Sequence, residues 1–159
     1  MKQLLILLPL AGALSACAGA QATRTSANTM IIDAGAAPAC GAMGAAKVAQ
    51  KSAAVETIRA GYDRYIITGG QSQNNVSVSQ MPGHFQTSGT ATYNRSFGTY
   101  NATTTYVPGP TIVSGSHDRS LGVVMFRNGE PGAENALDAR QALGPEWQDI
   151  VKSGVHTCL

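Results

Sequence analysis

Apolar side chains recur at helical spacing in one stretch of the N-terminal half of the chain. Val48, Val55 and Tyr62 are seven residues apart, and most charged side chains between Ala42 and Gly61 lie away from this stripe. Such a pattern is typical of an amphipathic helix, and a glycine is favoured where a helix ends. The sequence therefore predicts one helix over residues 42–61.

Short runs of β-branched and aromatic residues, which favour buried strands, flank this helix and recur near the C-terminus. The runs are TMIID at 29–33, RYIIT at 64–68 and SLGVVMFRNG at 120–129. A second helical stretch is predicted at 133–152, interrupted by Gly144-Pro145, with Pro145 in the first turn of its second part. The predicted order is β-α-β, then a long interval, then β-α.

The interval at about residues 71–111 has a different composition. It is rich in Gln, Asn, Ser, Thr and Gly and carries one formal charge, at Arg95. Val76 and Val78 alternate with polar residues, which indicates a strand. The remainder is predicted either as a long exposed hairpin or as a disordered loop, because insertions of this length are usually functional or disordered. TIVSG at 111–115 marks a return to core-like character.

The first residues have the layout of a secretory signal. Lys2 is followed by an apolar run at 4–14 and by small residues before Cys17. The run is too short to span a bilayer, which needs about 20 apolar residues. The segment Leu14-Ser15-Ala16-Cys17 resembles the lipobox of bacterial lipoproteins, in which the cysteine is acylated and becomes the mature N-terminus. The alternative is an ordinary secretory signal that is cleaved nearby, after CAGA.

The lipobox resemblance implies an anchor and a location. Three acyl chains on Cys17 would anchor the protein stably, because each buried methylene contributes about 0.8 kcal/mol and a single chain is only marginal. Ala18 follows in place of an aspartate, which by the usual bacterial sorting rule favours the outer membrane, facing the periplasm. We therefore expect residues 1–16 to be a lipoprotein signal peptide. Residues 17–27, which are small and polar, are expected to form a flexible tether.

The number of cysteines then bears on the fold. With Cys17 acylated, Cys40 and Cys158 remain as an even pair in an oxidising compartment. We predict that these two form one disulfide; two free thiols or an intermolecular bond are the alternatives. Together with the element order, this predicts a single α+β domain over residues 28–159. The domain would be a small two-layer sandwich, stapled by one disulfide, with a low-complexity insertion at about 71–111.

Composition narrows the classes of partner. The formal net charge is +2, and only 13% of the residues are charged, against about a quarter in typical soluble domains. Nucleic-acid binding would call for a clustered basic face, which the sequence lacks. The three histidines, His84, His117 and His156, have no partner at metal-ligand spacing. We therefore expect neither a metal nor another cofactor.

One longer segment carries a family resemblance. AAVETIRAGYDRYII, at 53–67, is similar to a segment of small, uncharacterised proteobacterial envelope lipoproteins, in which a helix ending in Gly-Tyr-Asp leads into a strand. The likeness extends more weakly over NTMIIDAGAAPACG and the closing HTC. It implies a location in the envelope and a fold, but no activity. A looser likeness of architecture, to a disulfide-bonded lipoprotein that senses envelope stress, gives the alternative of a stress or redox sensor.

The aromatic residues of the interval are the candidate binding surface. They are Phe85, Tyr93, Phe97, Tyr100 and Tyr106. Tyrosine and asparagine side chains supply rigid amphipathic contact area and adaptable hydrogen bonding, as they do in binding loops. The alternative is a solvated loop that has no specific partner.

A second candidate site is Ser116-His117-Asp118, which contains the residue types of a hydrolytic triad. Sequence neighbours do not ordinarily point at one another, and the Gly-x-Ser-x-Gly elbow is absent. We therefore expect no catalytic residue, and a hydrolase remains only an alternative. The expected function is that of a lipid-anchored envelope lipoprotein with a non-enzymatic binding or structural role. Its expected partners are the membrane, through the acyl chains, and another envelope protein or peptidoglycan, but not nucleic acid.

Overall fold

The computed structural model describes residues 17–158, so the predicted signal peptide at 1–16 lies outside the described residues. The strands are β1 (Ala18–Arg24), β2 (Thr29–Ala36), β3 (Arg64–Asn74), β4 (Ser77–Gln80), β5 (His84–Asn94), β6 (Phe97–Val107), β7 (Thr111–Ser114), β8 (His117–Phe126) and β9 (Leu137–Asp138). The α-helices are α1 (Gly41–Arg59), α2 (Ala139–Leu143) and α3 (Trp147–Ser153). Helices and strands are thus mixed within one small domain.

Five of the strands form one antiparallel sheet in the order β1-β2-β8-β3-β9. β2, α1 and β3 make a β-α-β unit, and β8 lies between its two strands and pairs antiparallel with both. β8, which comes after the long polar interval, is therefore the central strand between the two strands of the N-terminal β-α-β unit.

The hydrophobic core lies between this sheet and the helices. α1 packs across β2, β8 and β3, and α2 and α3 pack beside α1 in the same core. The largest buried side chains include Met30 and Ile32 of β2, Val48 and Val55 of α1, and Val123 and Met125 of β8. Burial of each such side chain stabilises the fold by about 1.5–3 kcal/mol relative to exposure. The prediction of a two-layer α+β sandwich is confirmed.

α1 begins and ends within two residues of the predicted bounds, and its C-terminal end explains one glycine. The N–H of Gly61 donates to the carbonyl of Ile58, and the N–H of Tyr62 donates to that of Thr57. This end motif requires a left-handed residue, and Gly61 has a φ of 81°. Glycine adopts that conformation without steric cost. Buried alanines on the same helix allow it to approach the sheet closely: Ala45, Ala49, Ala53 and Ala54.

Residues 18–24, which were expected to belong to a flexible tether, instead form the edge strand β1. β1 pairs with β2 over its whole length, from Ala18 opposite Ala36 to Arg24 opposite Met30. The N–H of Ala37 also donates to the carbonyl oxygen of Cys17. Backbone hydrogen bonds to β2 hold these residues in place. Because their side chains are small and do not alternate between apolar and polar, the sequence pattern did not indicate a strand.

The C-terminal region also differs from the prediction of a single interrupted helix at 133–152. Leu137–Asp138 form β9 and pair with the start of β3. Asp138 caps α2, because its side chain accepts the N–H of Gln141. Pro145 precedes Glu146, the N-cap residue of α3, and so does not lie in the first turn of that helix. Leu137 and Asp138, which the sequence pattern assigned to a longer helix, therefore form an edge strand of the sheet instead.

The long polar interval is an ordered hairpin. Residues 75–116, the arm, leave the sheet between β3 and β8; in the arm, β4 pairs with β7 and β5 pairs with β6. Of the two predictions for this interval, the structure has the exposed hairpin and not the disordered loop. The segment TIVSG at 111–115 includes β7, which ends at Ser114, and all of it is exposed, so its expected core-like character is wrong. In β7, Ile112 and Val113 have no helix layer above them among the described residues.

The predicted disulfide between Cys40 and Cys158 is present, with a Cα–Cα distance of 5.9 Å. It joins the start of α1 to the chain that follows α3, across a sequence separation of 118 residues. Gly44 lies against the bond, since a Cβ atom at that position would be 3.0 Å from the Cβ of Cys158. The bond therefore holds the chain after α3 against the start of α1.

Candidate binding surface

The register of β5 and β6 decides which aromatic residues share a face of the arm. Directly opposed residues of an antiparallel pair project on the same side, and alternate residues along one strand do so too. Phe85 is opposite Tyr106, and Tyr93 and Tyr100 lie an even number of positions from these two. Four of the five predicted aromatic residues therefore share one side, which we call the aromatic face. Phe97 is opposite Asn94 and projects on the other side.

Glycines lie beneath the tyrosine rings of the aromatic face. A Cβ atom at Gly89 would be 2.9 Å from the hydroxyl oxygen of Tyr100, and one at Gly98 would be 3.0 Å from the ring of Tyr93. Each ring therefore occupies space that a larger residue on the opposite strand would need. Such cross-strand cover stabilises glycine-containing strands.

The aromatic face is exposed despite this cover. The exposed fraction of Phe85, Tyr93, Tyr100 and Tyr106 ranges from 55% to 81%. The rings of Phe85 and Tyr106 are 5.2 Å apart between centroids and tilted by 58°. Ring contacts of this kind contribute about 0.5–1.5 kcal/mol beyond area burial. The rings therefore help to order the hairpin while most of their surface remains available for contact.

The opposite side of the β5–β6 ribbon is polar. Its opposed pairs include Gln86 with Thr105, Ser88 with Thr103, Thr90 with Asn101 and Thr92 with Thr99. We call this side the polar face. The two-residue turn Arg95-Ser96 joins the strands at the tip. The ribbon therefore has an aromatic face and a polar face, and both are exposed; the polar face also carries Phe97, beside the tip turn.

Two interruptions divide the arm along its length. The first lies at its base, where Gly115 has a φ of 105° and the N–H of Asn75 donates to the carbonyl of Ser116. The second lies between β4 and β5, where Met81-Pro82-Gly83 faces Pro108-Gly109-Pro110. Proline has no N–H to donate and cannot continue the ladder. The pairing is therefore broken at two defined places and intact between them.

Asp118 holds the base of the arm. Its Oδ2 accepts hydrogen bonds from Nδ2 of Asn75 at 2.5 Å and from Oγ of Ser116 at 3.2 Å. These two donors are the first and last residues of the arm. Beside them, Asp33, Gln71 and Ser120 line part of a shallow groove of 420 Å³ on the open face of the sheet. Ser120 donates to Asp33, whereas the buried Nε of Arg119, which also lines the groove, has no hydrogen-bond partner among the described residues.

The same geometry bears on the hydrolase alternative at Ser116, His117 and Asp118. Ser116 donates directly to the carboxylate of Asp118. His117 lies between them in β8, so its side chain projects on the opposite side of the sheet. Its Nδ1 has no hydrogen-bond partner among the described residues. The structure thus brings the serine and the aspartate together but does not place the imidazole between them, as proton relay requires.

Cys17 lies at the end of the strands from which the arm projects. Across the strands, Ala18 is opposite Ala36, Ala36 is opposite His117, and His117 is opposite Asn74. With strands about 4.8 Å apart, Ala18 is roughly 14 Å from the base of the arm. Cys17 is exposed and immediately precedes β1. Any anchor at this cysteine would hold the sheet by the edge that carries the arm.

The Gly-Tyr-Asp segment that carries the family resemblance forms a structural junction. Oδ1 of Asp63 accepts a hydrogen bond from Arg140 at 2.9 Å, and Oδ2 accepts the N–H of Asn128 at 3.2 Å. These donors, the arginine first, hold the pKa of Asp63 below its usual range despite partial burial. Tyr62 donates its hydroxyl to the carbonyl of Ala27. The junction thus connects the end of α1 to β3, to the turn after β8 and to α2.

No cluster of three or more His, Cys, Asp or Glu side chains suited to a metal occurs among residues 17–158. Within the same range, none of the helices combines the length and the apolar character needed to cross a membrane.

None of the known protein families, curated proteins or solved structures compared with the chain matches it.

The sequence indicated the aromatic residues but not the face that they share. The missed signal is the alternation at 85, 87, 89, 91 and 93, continued after the two-residue turn at 98, 100, 102, 104 and 106. Small residues occupy several of these positions, so the period of two is not visible in hydrophobicity alone. The glycines under the rings were likewise missed.

Proposed function

We propose that this chain is a lipid-anchored protein of the bacterial envelope, acylated at Cys17, whose arm is a binding element. Its role is binding or structural and not catalytic. The anchor lies in the outer membrane and the domain faces the periplasm. The arm contacts another component of the envelope through its aromatic face.

The exposed aromatic face is the observation that carries this proposal. Burial of a large aromatic side chain is favourable, so a side chain that stays in water forgoes this free energy unless a partner covers it. At an interface each such side chain contributes a large contact area. Four such side chains lie on one side of the ribbon, two at its base and two near its tip, and among the described residues all four remain largely exposed. Patches of this kind mark sites of interaction.

The proposed anchor is supported by the N-terminal sequence and by the position of Cys17. The lipobox-like LSAC segment ends at this cysteine, and the described chain begins its first strand at the next residue. An acylated Cys17 would therefore hold the folded domain directly at the membrane surface, without an intervening tether. The direct bond from Ser116 to Asp118 gives the hydrolase alternative less support than a binding role.

Mass spectrometry of the native protein tests the anchor. The mature chain is expected to begin at Cys17 and to carry the mass of its acyl chains. A Cys17→Ala variant, which cannot be acylated, serves as the control and should leave the membrane fraction. A wild-type chain that begins at another residue, without acyl mass, would contradict the proposal.

A shortened arm tests the binding element. Gln80 is opposite Thr111, so an Asn-Gly turn that replaces residues 81–110 closes the β4–β7 pair with a favoured two-residue loop. The shortened protein should keep its melting temperature but lose, in intact cells, the protein or lipid neighbours that cross-link to the wild-type protein. A companion variant deletes only residues 91–100 and closes Thr90 to Asn101 with the same turn; it removes Tyr93 and Tyr100 but keeps Phe85 and Tyr106, so it should lose only part of this cross-linking. If the cross-linked neighbours are unchanged in the variant that lacks residues 81–110, the arm has no binding role.

A further inference from the structure

We infer that the aromatic face of the arm docks on the lipid surface of the membrane in which Cys17 is anchored, with the β5–β6 ribbon lying in the interfacial region. The inference deepens the proposed function, and it depends on that function for the anchor at Cys17. It names the partner of the arm as the headgroup and upper acyl region of a bilayer.

The position of Cys17 in the fold is the first argument. The apolar run at 4–14 and the lipobox-like segment LSAC lead to Cys17, the proposed site of the anchor. Cys17 lies at the same end of the strands as the C-terminus of β3 and the N-terminus of β8, which is the end from which the arm projects. The membrane end of the chain and the base of the arm are therefore neighbours, and the arm starts on the membrane side of the domain.

The spacing of the aromatic rings is the second argument. The Phe85–Tyr106 pair lies at one end of the ribbon, and Tyr93 and Tyr100 lie near its tip. Phe85 and Tyr93 are eight positions apart in β5, which corresponds to about 27 Å along a strand. Tyrosine is enriched at membrane–water interfaces, where an amphipathic ring meets apolar chains and water at once. A ribbon that lies flat places all four rings at this level.

The charge of the arm is compatible with a lipid surface. Residues 75–116 contain no aspartate or glutamate, and the single formal charge is Arg95 in the tip turn. Anionic lipid headgroups attract basic residues near the membrane surface and repel acidic ones. The arm therefore brings no repulsive charge to the membrane, and it places its one cation at the end that is farthest from the anchor.

The unpaired strand edges indicate how deep the ribbon lies. β5 and β6 pair only with each other among the described strands, so the outer edge of each strand presents free backbone N–H and C=O groups. These groups are not satisfied in hydrocarbon, but water and headgroups satisfy them at the interface. The polar face likewise remains hydrated. The rings therefore enter the lipid while the backbone stays at headgroup level.

The interruptions of the arm allow this orientation. Pro82 faces the Pro108-Gly109-Pro110 segment between β4 and β5, where the ladder is already broken. A change of direction at this point costs no β5–β6 hydrogen bond. The ribbon can therefore lie along the membrane plane while the base of the arm keeps its contacts with Asp118.

Depth-dependent fluorescence quenching in proteoliposomes tests the inference. Trp147, the single tryptophan, is replaced by phenylalanine, and a reporter is introduced as Tyr100→Trp on the aromatic face. The matched control is Thr103→Trp on the polar face. The full mature acylated protein is reconstituted in vesicles of phosphatidylethanolamine and phosphatidylglycerol that contain brominated lipid. Quenching at Tyr100→Trp should exceed that at Thr103→Trp several-fold, with an emission shift to shorter wavelength.

The other outcomes overturn the inference in distinct ways. Equal quenching of both reporters would mean immersion of the ribbon and not docking by one face. If neither reporter is quenched in vesicles, but Tyr100→Trp is shielded from acrylamide in intact envelopes, a protein or glycan covers the face and not lipid. Failure of the proposed function is distinguishable, because the mass of the mature protein shows directly whether Cys17 is acylated, whatever the two reporters show.

Discussion

The helix-covered sheet and the arm are both antiparallel β-structure, yet different interactions hold them together. In the sheet, β2 and β8 bury every second side chain against α1. In the arm, β5 and β6 bury almost nothing, and their order depends on backbone pairing and on cross-strand contacts such as the Thr87–Thr104 hydrogen bond. Such contacts contribute about 0.2–1 kcal/mol each. An isolated two-stranded hairpin is marginal in water.

The difference teaches that regular structure and burial are separable in this chain. The sheet is stable because apolar residues leave water. The arm keeps its apolar residues in water, which makes it the region where a partner gains most from contact. We therefore expect substitutions in the sheet to act on global stability and substitutions in the arm to act on local order and binding.

The largest effect is expected from a core cavity. Met125 is fully buried in β8, and Met125→Ala should lower the free energy of unfolding by about 2–5 kcal/mol through lost burial and an unfilled cavity. Val113→Ala in the exposed strand β7 is the matched arm variant and should cost less than about 0.5 kcal/mol. Urea unfolding followed by circular dichroism measures both. Similar midpoints for the two variants would break the comparison.

The disulfide should have the next largest effect. The double substitution Cys40→Ser and Cys158→Ser removes a bond that closes a long loop, and the expected cost is about 2–4 kcal/mol. Calorimetric melting at matched pH measures the loss. The neighbours cross-linked to the arm should be the same in both proteins. Changed neighbours at an unchanged melting temperature would favour the alternative of a redox sensor.

The Asp63 junction should make stability depend on pH in acid. Because its hydrogen bonds lower the pKa of Asp63 in the folded state from the ordinary value of 3.8, they stabilise the fold above that value. Their contribution is lost as the pH falls through the lower, folded pKa. Asp63→Asn should cost about 1–2 kcal/mol near neutral pH and much less in strong acid.

The free energy of unfolding, measured from neutral pH down to about pH 2, checks this expectation. Arg140→Gln removes the principal donor and should reproduce most of the effect. An equal cost of Asp63→Asn at both ends of the pH range would contradict the ionic character of the junction.

The smallest effect is expected at the base of the arm. Asp118→Ala removes the acceptor for Asn75 and Ser116, at a cost of about 1 kcal/mol that falls on the arm. Hydrogen exchange should become faster in β4 and β7 and remain unchanged in β2. Asp33→Ala, which removes the acceptor of Ser120 within the sheet, is the matched control and should leave exchange in the arm unchanged. Faster exchange across the whole protein after Asp118→Ala would contradict a local role.

Periodicity predicted the elements that have a buried face. α1 was predicted within two residues because its stripe of Val48 and Val55 repeats at helical spacing. β2 continues three residues beyond its predicted end, through Ala34-Gly35-Ala36, and β8 covers His117–Phe126 instead of the predicted 120–129. Pairing between the two strands holds these additional residues, which carry no strong apolar pattern. The disulfide followed from the number of cysteines once Cys17 was assigned to an anchor, and the pairing of Cys40 with Cys158 is confirmed.

Elements without a buried stripe were predicted poorly. β1 consists of small and polar residues whose order depends on β2, and β9 is two residues long and exists only as a partner of β3. The candidate surface was predicted as a set of five residues. Its division into four residues on one face and Phe97 on the other depends on the strand register. Register depends on the turn at 95–96, which carries little signal of its own.

The sequence by itself determined the composition of each part: an alanine-rich helix, two apolar strands, an arm with a single charged residue and an even pair of cysteines. These are local properties, since side-chain volume, charge and periodicity act on the chain wherever it lies. Only the tertiary structure decided that β8 lies between β2 and β3, and that the arm therefore leaves from the edge at which Cys17 enters. That placement depends on pairing between strands some 50 to 90 residues apart, and such pairing is selected by the burial of the whole sheet.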